Sequence, residues 1–147
     1  MTPSKAAGVS DPAVIRRVLT TPATWAVVGL SPDATRTAYG VARWMRDALG
    51  HRIIPVHPRA QAVWDEQGYP SLTQIPDSAV VTVVDCFVNS QRVGGVVDEA
   101  ILNKDRLSIQ TVWLQLGVID KDAAQRAISA GLDVVMDTCP MIEYPKL

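Results

Sequence analysis

The chain has 147 residues, 48% of them apolar, which is enough to bury one core and fits the usual size of a single domain. Fourteen basic residues stand against fifteen acidic ones, with no lysine or arginine run, so the charge argues against a broad nucleic-acid or membrane surface and implies that any anion bound is small. Residues 1–10 lack the apolar core of a signal peptide, no apolar run approaches the ~20 residues of a membrane helix, and two cysteines far apart, with no CxxC pair and only two histidines, lack the spacing of a structural zinc site; the expectation is one cytoplasmic domain over 1–147 with reduced thiols and a flexible start over 1–10.

In chain order, Asp11 is placed to cap a short helix from Pro12 to Leu19, whose Val14, Ile15, Val18 and Leu19 share one face. Trp25 to Leu30 is apolar at nearly every position and reads as a central strand covered on both faces. The helix from Thr37 to Leu49 places Val41, Trp44, Met45, Ala48 and Leu49 on one side and stops at Gly50. Arg52–Val56 is the second strand, with His57-Pro58-Arg59 at its exit. A short helix over Ala60–Glu66 and an edge strand over Tyr69–Leu72 follow. Val80–Asp85 is the strongest strand signal, leaving through Cys86-Phe87-Val88, and a helix from Gln91 to Leu102 comes next. The strand Thr111–Leu116 ends at Gly117, a helix capped by Asp120 runs to Ala130, and Asp133–Met136 closes the series. Trp44, Trp64 and Trp113 read as packing residues, and Trp25 as a partial cover for the N-terminal end of its strand.

Strands alternating with helices predict an α/β fold, a doubly wound, mostly parallel sheet with helices on both faces and strand order 3-2-1-4-5-6, the Tyr69–Leu72 strand outermost. Ligands bind where such a chain reverses direction, above the strand C-termini. The segments converging there are Gly29–Arg36, Val56–Arg59, Cys86–Val88 and Gln115–Gly117.

A strand stopping at Gly29, a polar loop carrying Arg36 and then a helix N-terminus opening at Thr37 is an arrangement that holds phosphate, because the unpaired N–H groups and the positive helix end both favour an anion. Arg36 offers a fork of donors to a pyrophosphate, with a solvated arginine as the alternative. Ser31 and the backbone of Gly29 and Leu30 add donors, unless Ser31 is a plain turn serine. No GxGxxG is present and no carboxylate stands at the exit of the second strand, where Val56, His57, Pro58 and Arg59 lie instead. A missing acid and a nearby Arg59 favour a phosphorylated ribose, as in NADP or the 3′-phosphoadenosine of coenzyme A, over NAD. His57 is placed to contact adenine or to titrate against a phosphate, and Phe87 to pack on the ligand; each has a plain loop or core alternative.

The set Val28-Gly29-x-Ser31, Arg36, Tyr39, Pro55-Val56-x-Pro58, Tyr69-Pro70-Ser71-Leu72, Ile75-Pro76, Val84-x-x-Phe87, Trp113-x-Gln115-x-Gly117 and Val134-Val135-Met136-Asp137-x-Cys139 resembles the small stand-alone CoA-binding proteins. These are similar to the CoA-binding domain of the succinyl-CoA synthetase α subunit. The resemblance covers Trp25 to Tyr144. It implies a Rossmann-like domain that binds coenzyme A or an acyl-CoA, often without catalysis, with Thr37, Tyr39, Cys86, Val88, Gln115 and Gly117 joining the cofactor-binding residues above. The chain departs from the pattern at His57, where the family has asparagine, at Ala38, where it has serine, and at Val88-Asn89, where it has two basic residues. The phosphorylated-histidine region of the synthetase is absent from this sequence.

Cys139 stands where the family has cysteine and suggests a disulfide with coenzyme A, but no basic partner is placed beside it. Cys86 lies two strands away, at about 10 Å for ~4.8 Å spacings, beyond the ~7 Å that a bridge spans, so no internal disulfide is expected. Asp85 and Asp137 are either paired acids or strand-end caps. Three functions follow: a non-catalytic CoA-binding, sensing or carrier module; an NADP-dependent oxidoreductase; or an interaction subunit with a vestigial site. The expected partner is a small nucleotide, with neither nucleic acid nor membrane, and the chain is expected as a monomer or homodimer.

Overall fold

The computed structural model describes residues 8–147; most of the expected flexible start falls on residues 1–7, outside the described residues. Five parallel strands, β1 (Thr24–Val28), β2 (Arg52–Val56), β3 (Val83–Cys86), β4 (Thr111–Leu114) and β5 (Asp133–Val135), form one sheet in the order β2-β1-β3-β4-β5. Among the described residues the α-helices are α1 (Pro12–Thr20), α2 (Thr37–Leu49), α3 (Ser90–Leu107), α4 (Lys121–Ser129) and the short α5 (Pro140–Glu143).

The sheet separates two apolar layers. Side chains alternate along each strand, so Trp25, Val27, Val83, Trp113 and Val135 meet α1 and α2 on one face. Ala26, Val84, Cys86, Val112 and Leu114 meet α3 and α4 on the other. Strands covered on both sides cannot alternate polar with apolar, which is why β1 and β4 read as continuous apolar runs. Trp25 does not merely cover a strand end: it is fully buried, its ring 5.6 Å from that of Trp113 and 5.1 Å from that of His51.

Two expectations are corrected. Tyr69–Leu72 is no strand; Tyr69 alone bridges Val56 in parallel, outside β2, and Leu72–Gln74 is a 3₁₀ turn. The position is the expected outermost one, but Pro70 removes the N–H that a longer ladder needs. Ala60–Glu66 is no helix, because Val63 and Glu66 bond each other's backbone around Trp64 and Asp65, both in the left-handed region at φ 50° and 66°. Near the start of the described residues, Val9 bridges Val134, and the Ser10 N–H donates to the Val134 carbonyl at 2.8 Å. Among the described residues no helix is long and apolar enough to cross a membrane.

Candidate functional site

The chain reverses direction between β2-β1 on one side and β3-β4-β5 on the other, and a crevice opens above the C-terminal ends of β1 and β3. Its floor is set by Gly29. This residue has φ 101°, its N–H donates to the Val56 carbonyl at 2.7 Å, and a Cβ placed on it would lie 2.4 Å from the Phe87 carbonyl oxygen. Only glycine allows the exits of β1 and β3 to approach so closely.

Three lobes meet at Gly29 and Arg36. The first, of about 520 Å³, is the more apolar and is lined by residues including Thr37, Ala38, Phe87, Val88, Gln115, Leu116 and Cys139. The second, of about 560 Å³, is polar and runs past Ser31, Asp33, His57 and Arg59. The third, also about 560 Å³, lies between Val56, His57 and Pro58 on one side and Phe87, Val88, Asn89 and Arg92 on the other.

Arg36 sits at the N-cap of α2, where no side chain caps the helix. Its loop is ordered from within: the Asp33 carboxylate accepts from the Thr35 hydroxyl at 2.6 Å and N–H at 3.0 Å, which, with the nearby Arg36 cation, hold its pKa below the usual value, and the Arg36 N–H donates to the Asp33 carbonyl at 3.2 Å. The guanidinium itself has no hydrogen bond or ion pair among the described residues, and the same is true of Arg59 and Arg92. An uncapped helix start and three arginines without a hydrogen bond or ion pair among the described residues border these lobes, an arrangement that favours an anion. His57 accepts the Arg59 N–H on Nδ1 at 3.2 Å, which leaves Nε2 for a ligand.

Of the residues singled out from sequence, Gly29, Ser31, Arg36, Thr37, Val56, His57, Pro58, Arg59, Phe87, Val88 and Gln115 line the lobes. Four do not. Leu30 and Cys86 are 0% exposed in opposite layers of the core, and burial pushes the Cys86 thiol pKa well up. The Tyr39 hydroxyl accepts the Trp64 indole N–H at 3.0 Å, so this residue fastens the 60–68 segment to α2. Gly117 turns at φ 81° between the lining residues Leu116 and Val118 and donates its N–H to Asp137 at 2.7 Å.

Asp137 therefore caps a turn, whereas Asp85 is buried against Gln115, and the two carboxyls share no hydrogen-bond partner. Cys86 and Cys139 are free thiols, and Cys139 shares the first lobe with Arg36, a neighbour that the sequence did not reveal. Arg92 also escaped the sequence reading. Its signal was the Asn89 cap, whose Oδ1 accepts the Arg92 N–H at 2.9 Å and sets that cation on the first turn of α3, near the place where Val88-Asn89 lack positive charge.

A family model described as a CoA binding domain matches residues 23–145. The uncharacterized protein YneT of Bacillus subtilis is 32% identical over 132 residues, covering 90% of this chain and 93% of YneT. A hypothetical protein from Pyrococcus horikoshii superposes with a TM-score of 0.80 at 32% identity, over 93% of this chain and 92% of that one. The dinucleotide-forming acetyl-coenzyme A synthetase 1 of Ca. Korarchaeum cryptofilum shares the fold, with a TM-score of 0.65 at 21% identity, over 84% of this chain and 27% of the synthetase.

Proposed function

Because the chain belongs to the family of CoA-binding domains, we propose that it holds coenzyme A or an acyl-CoA in the three-lobed crevice as a non-catalytic binding, sensing or carrier module. The observation that carries this reading is the junction at Gly29 and Arg36, where a free guanidinium and an uncapped helix N-terminus converge between one apolar and two more polar lobes. A pyrophosphate at the junction accepts from Arg36 and from the first N–H groups of α2. Adenosine lies toward Val56–Arg59, where Arg59 faces a ribose phosphate and His57 Nε2 faces the base. The pantetheine arm runs past Phe87 and Val88 into the apolar lobe.

Calorimetry under reducing conditions with coenzyme A, dephospho-CoA, acetyl-CoA, NADP and NAD tests the reading. Tighter binding of coenzyme A than of dephospho-CoA supports it and identifies a 3′-phosphate contact. Binding of NADP alone replaces it with the oxidoreductase reading, and silence throughout leaves the interaction-subunit reading.

A further inference from the structure

Beneath the apolar lobe lies a polar pair that phosphate binding does not use. Asp85 is 0% exposed on the central strand β3, and its Oδ1 accepts from the side-chain Nε2 of Gln115, while Oδ2 is buried without a partner. Gln115 is itself only 4% exposed, yet it lines the lobe. With its nitrogen on Asp85, its carbonyl oxygen has no partner among the described residues and is the end left for the crevice.

The surroundings of Asp85 are apolar. Its register neighbours are Val27 on β1 and Trp113 on β4, and α2 covers that face with Ala38, Val41, Ala42 and Met45. The titratable or charged groups nearby are the Cys86 thiol, which faces the opposite layer, and Cys139 and Arg36 in the lobe above. Burial raises the Asp85 pKa to about 8, opposed by the Gln115 amide and the Cys86 backbone N–H.

A carboxylic acid must place its O–H on an acceptor, whereas a carboxylate needs donors. The two ends of a glutamine amide are nearly the same shape, so one set of positions serves both cases. In the acid form the partner available to the Asp85 O–H is the Gln115 carbonyl, and the Gln115 NH₂ then turns to the crevice. In the carboxylate form the NH₂ turns down and the carbonyl turns up.

We propose that Asp85 is the positioning residue for Gln115: as the acid it donates to the Gln115 carbonyl and aims the Gln115 NH₂ into the crevice, as a donor for a carbonyl oxygen of an acyl-pantetheine arm. When Asp85 loses its proton to solvent, the amide reverses and sets two carbonyl oxygens against each other. The ligand half of this inference rests on the CoA reading; the Asp85–Gln115 pair does not.

Acetyl-CoA affinity is measured from pH 7 to 9.5 for the parent protein and for Asp85→Asn, whose side-chain NH₂ makes the same donation at every pH. Both proteins carry Cys139, and the ligand's phosphates are common to both, so the ratio of dissociation constants isolates the carboxyl. The expected ratio is near one at pH 7, rising so that the parent binds about tenfold more weakly at pH 9.5, the loss of one net hydrogen bond. A ratio that stays constant with pH overturns the inference and leaves the CoA reading intact. In the ligand-free proteins, the Asp85 carboxyl carbon and the Gln115 side-chain N–H signals are followed by NMR, and the two are expected to titrate together in the parent. A Gln115 signal that ignores the Asp85 titration overturns the pair itself. Coupled NMR titration with no acetyl-CoA binding at any pH upholds the pair and defeats the CoA reading together with the ligand half.

Discussion

Gly29 and Arg36 mark the two kinds of constraint that the crevice imposes on single residues. At Gly29 the constraint is space and backbone angle. An added Cβ meets the Phe87 carbonyl oxygen at 2.4 Å while φ stays at 101°, so Gly29→Ala is expected to destabilise the fold by about 1–3 kcal/mol or more, read as a fall in the urea midpoint. At Arg36 the constraint is chemical, since the exposed guanidinium has no hydrogen bond or ion pair to lose and feels only the attraction of the exposed Asp33 carboxylate. Arg36→Ala should leave the urea midpoint within about 0.5 kcal/mol of the parent and weaken coenzyme A by about 1.5–3 kcal/mol, as expected for a hydrogen bond to a charged group. An unchanged dissociation constant removes Arg36 from the site.

At the scale of elements, α2 does two jobs with one sequence: its N-terminus faces the crevice while Ala38, Val41, Ala42 and Met45 bury against the sheet. Met45 is 0% exposed, and Met45→Ala is expected to cost about 2–5 kcal/mol of stability in chemical denaturation. The bounds Thr37–Leu49 were legible in sequence because the apolar period and Gly50, at φ 74°, agree on them. The order of the five strands was legible for a similar reason, since buried parallel strands leave continuous apolar runs. The 60–68 segment was not, because a turn that sets Trp64 at positive φ contradicts what that bulky residue prefers locally, and the Tyr39–Trp64 hydrogen bond that holds it is remote in sequence. The crevice was legible at its backbone, through Gly29 and the exit of β2. Its cations were legible only where they stood in the loops, so Arg92, in the first turn of α3, was missed.

For the whole molecule, the buried acid of Asp85 links folding to pH. In the unfolded chain Asp85 ionises near 3.8, while the folded protein keeps the proton until about pH 8. Between these values the native state binds more protons, so this residue's effect is to lower stability as pH rises from about 4 to about 8, with no further change above. Asp85→Asn should remove that slope, seen as a gain in the urea midpoint over the parent that is larger at pH 8 than at pH 5. Saturation with ligand acts in the other direction. Coenzyme A at a hundred times its dissociation constant should stabilise the fold by about 2.7 kcal/mol, a rise in Tm of about 5–10 °C, with no rise if the crevice does not bind it.

The short backbone bridges at the sheet margins have a consequence for self-association. Along β2, Pro55 offers no N–H, while its carbonyl and the His57 N–H are both taken by Tyr69. Along β5, Ser10 takes the Val134 carbonyl, and its hydroxyl exchanges hydrogen bonds with the Met136 backbone. Each border of the sheet is thus stopped by a few residues of loop from a distant part of the chain. That blunts the template on which neighbouring molecules would otherwise extend the sheet into an aggregate, and turns any pairing of two copies toward the helical faces.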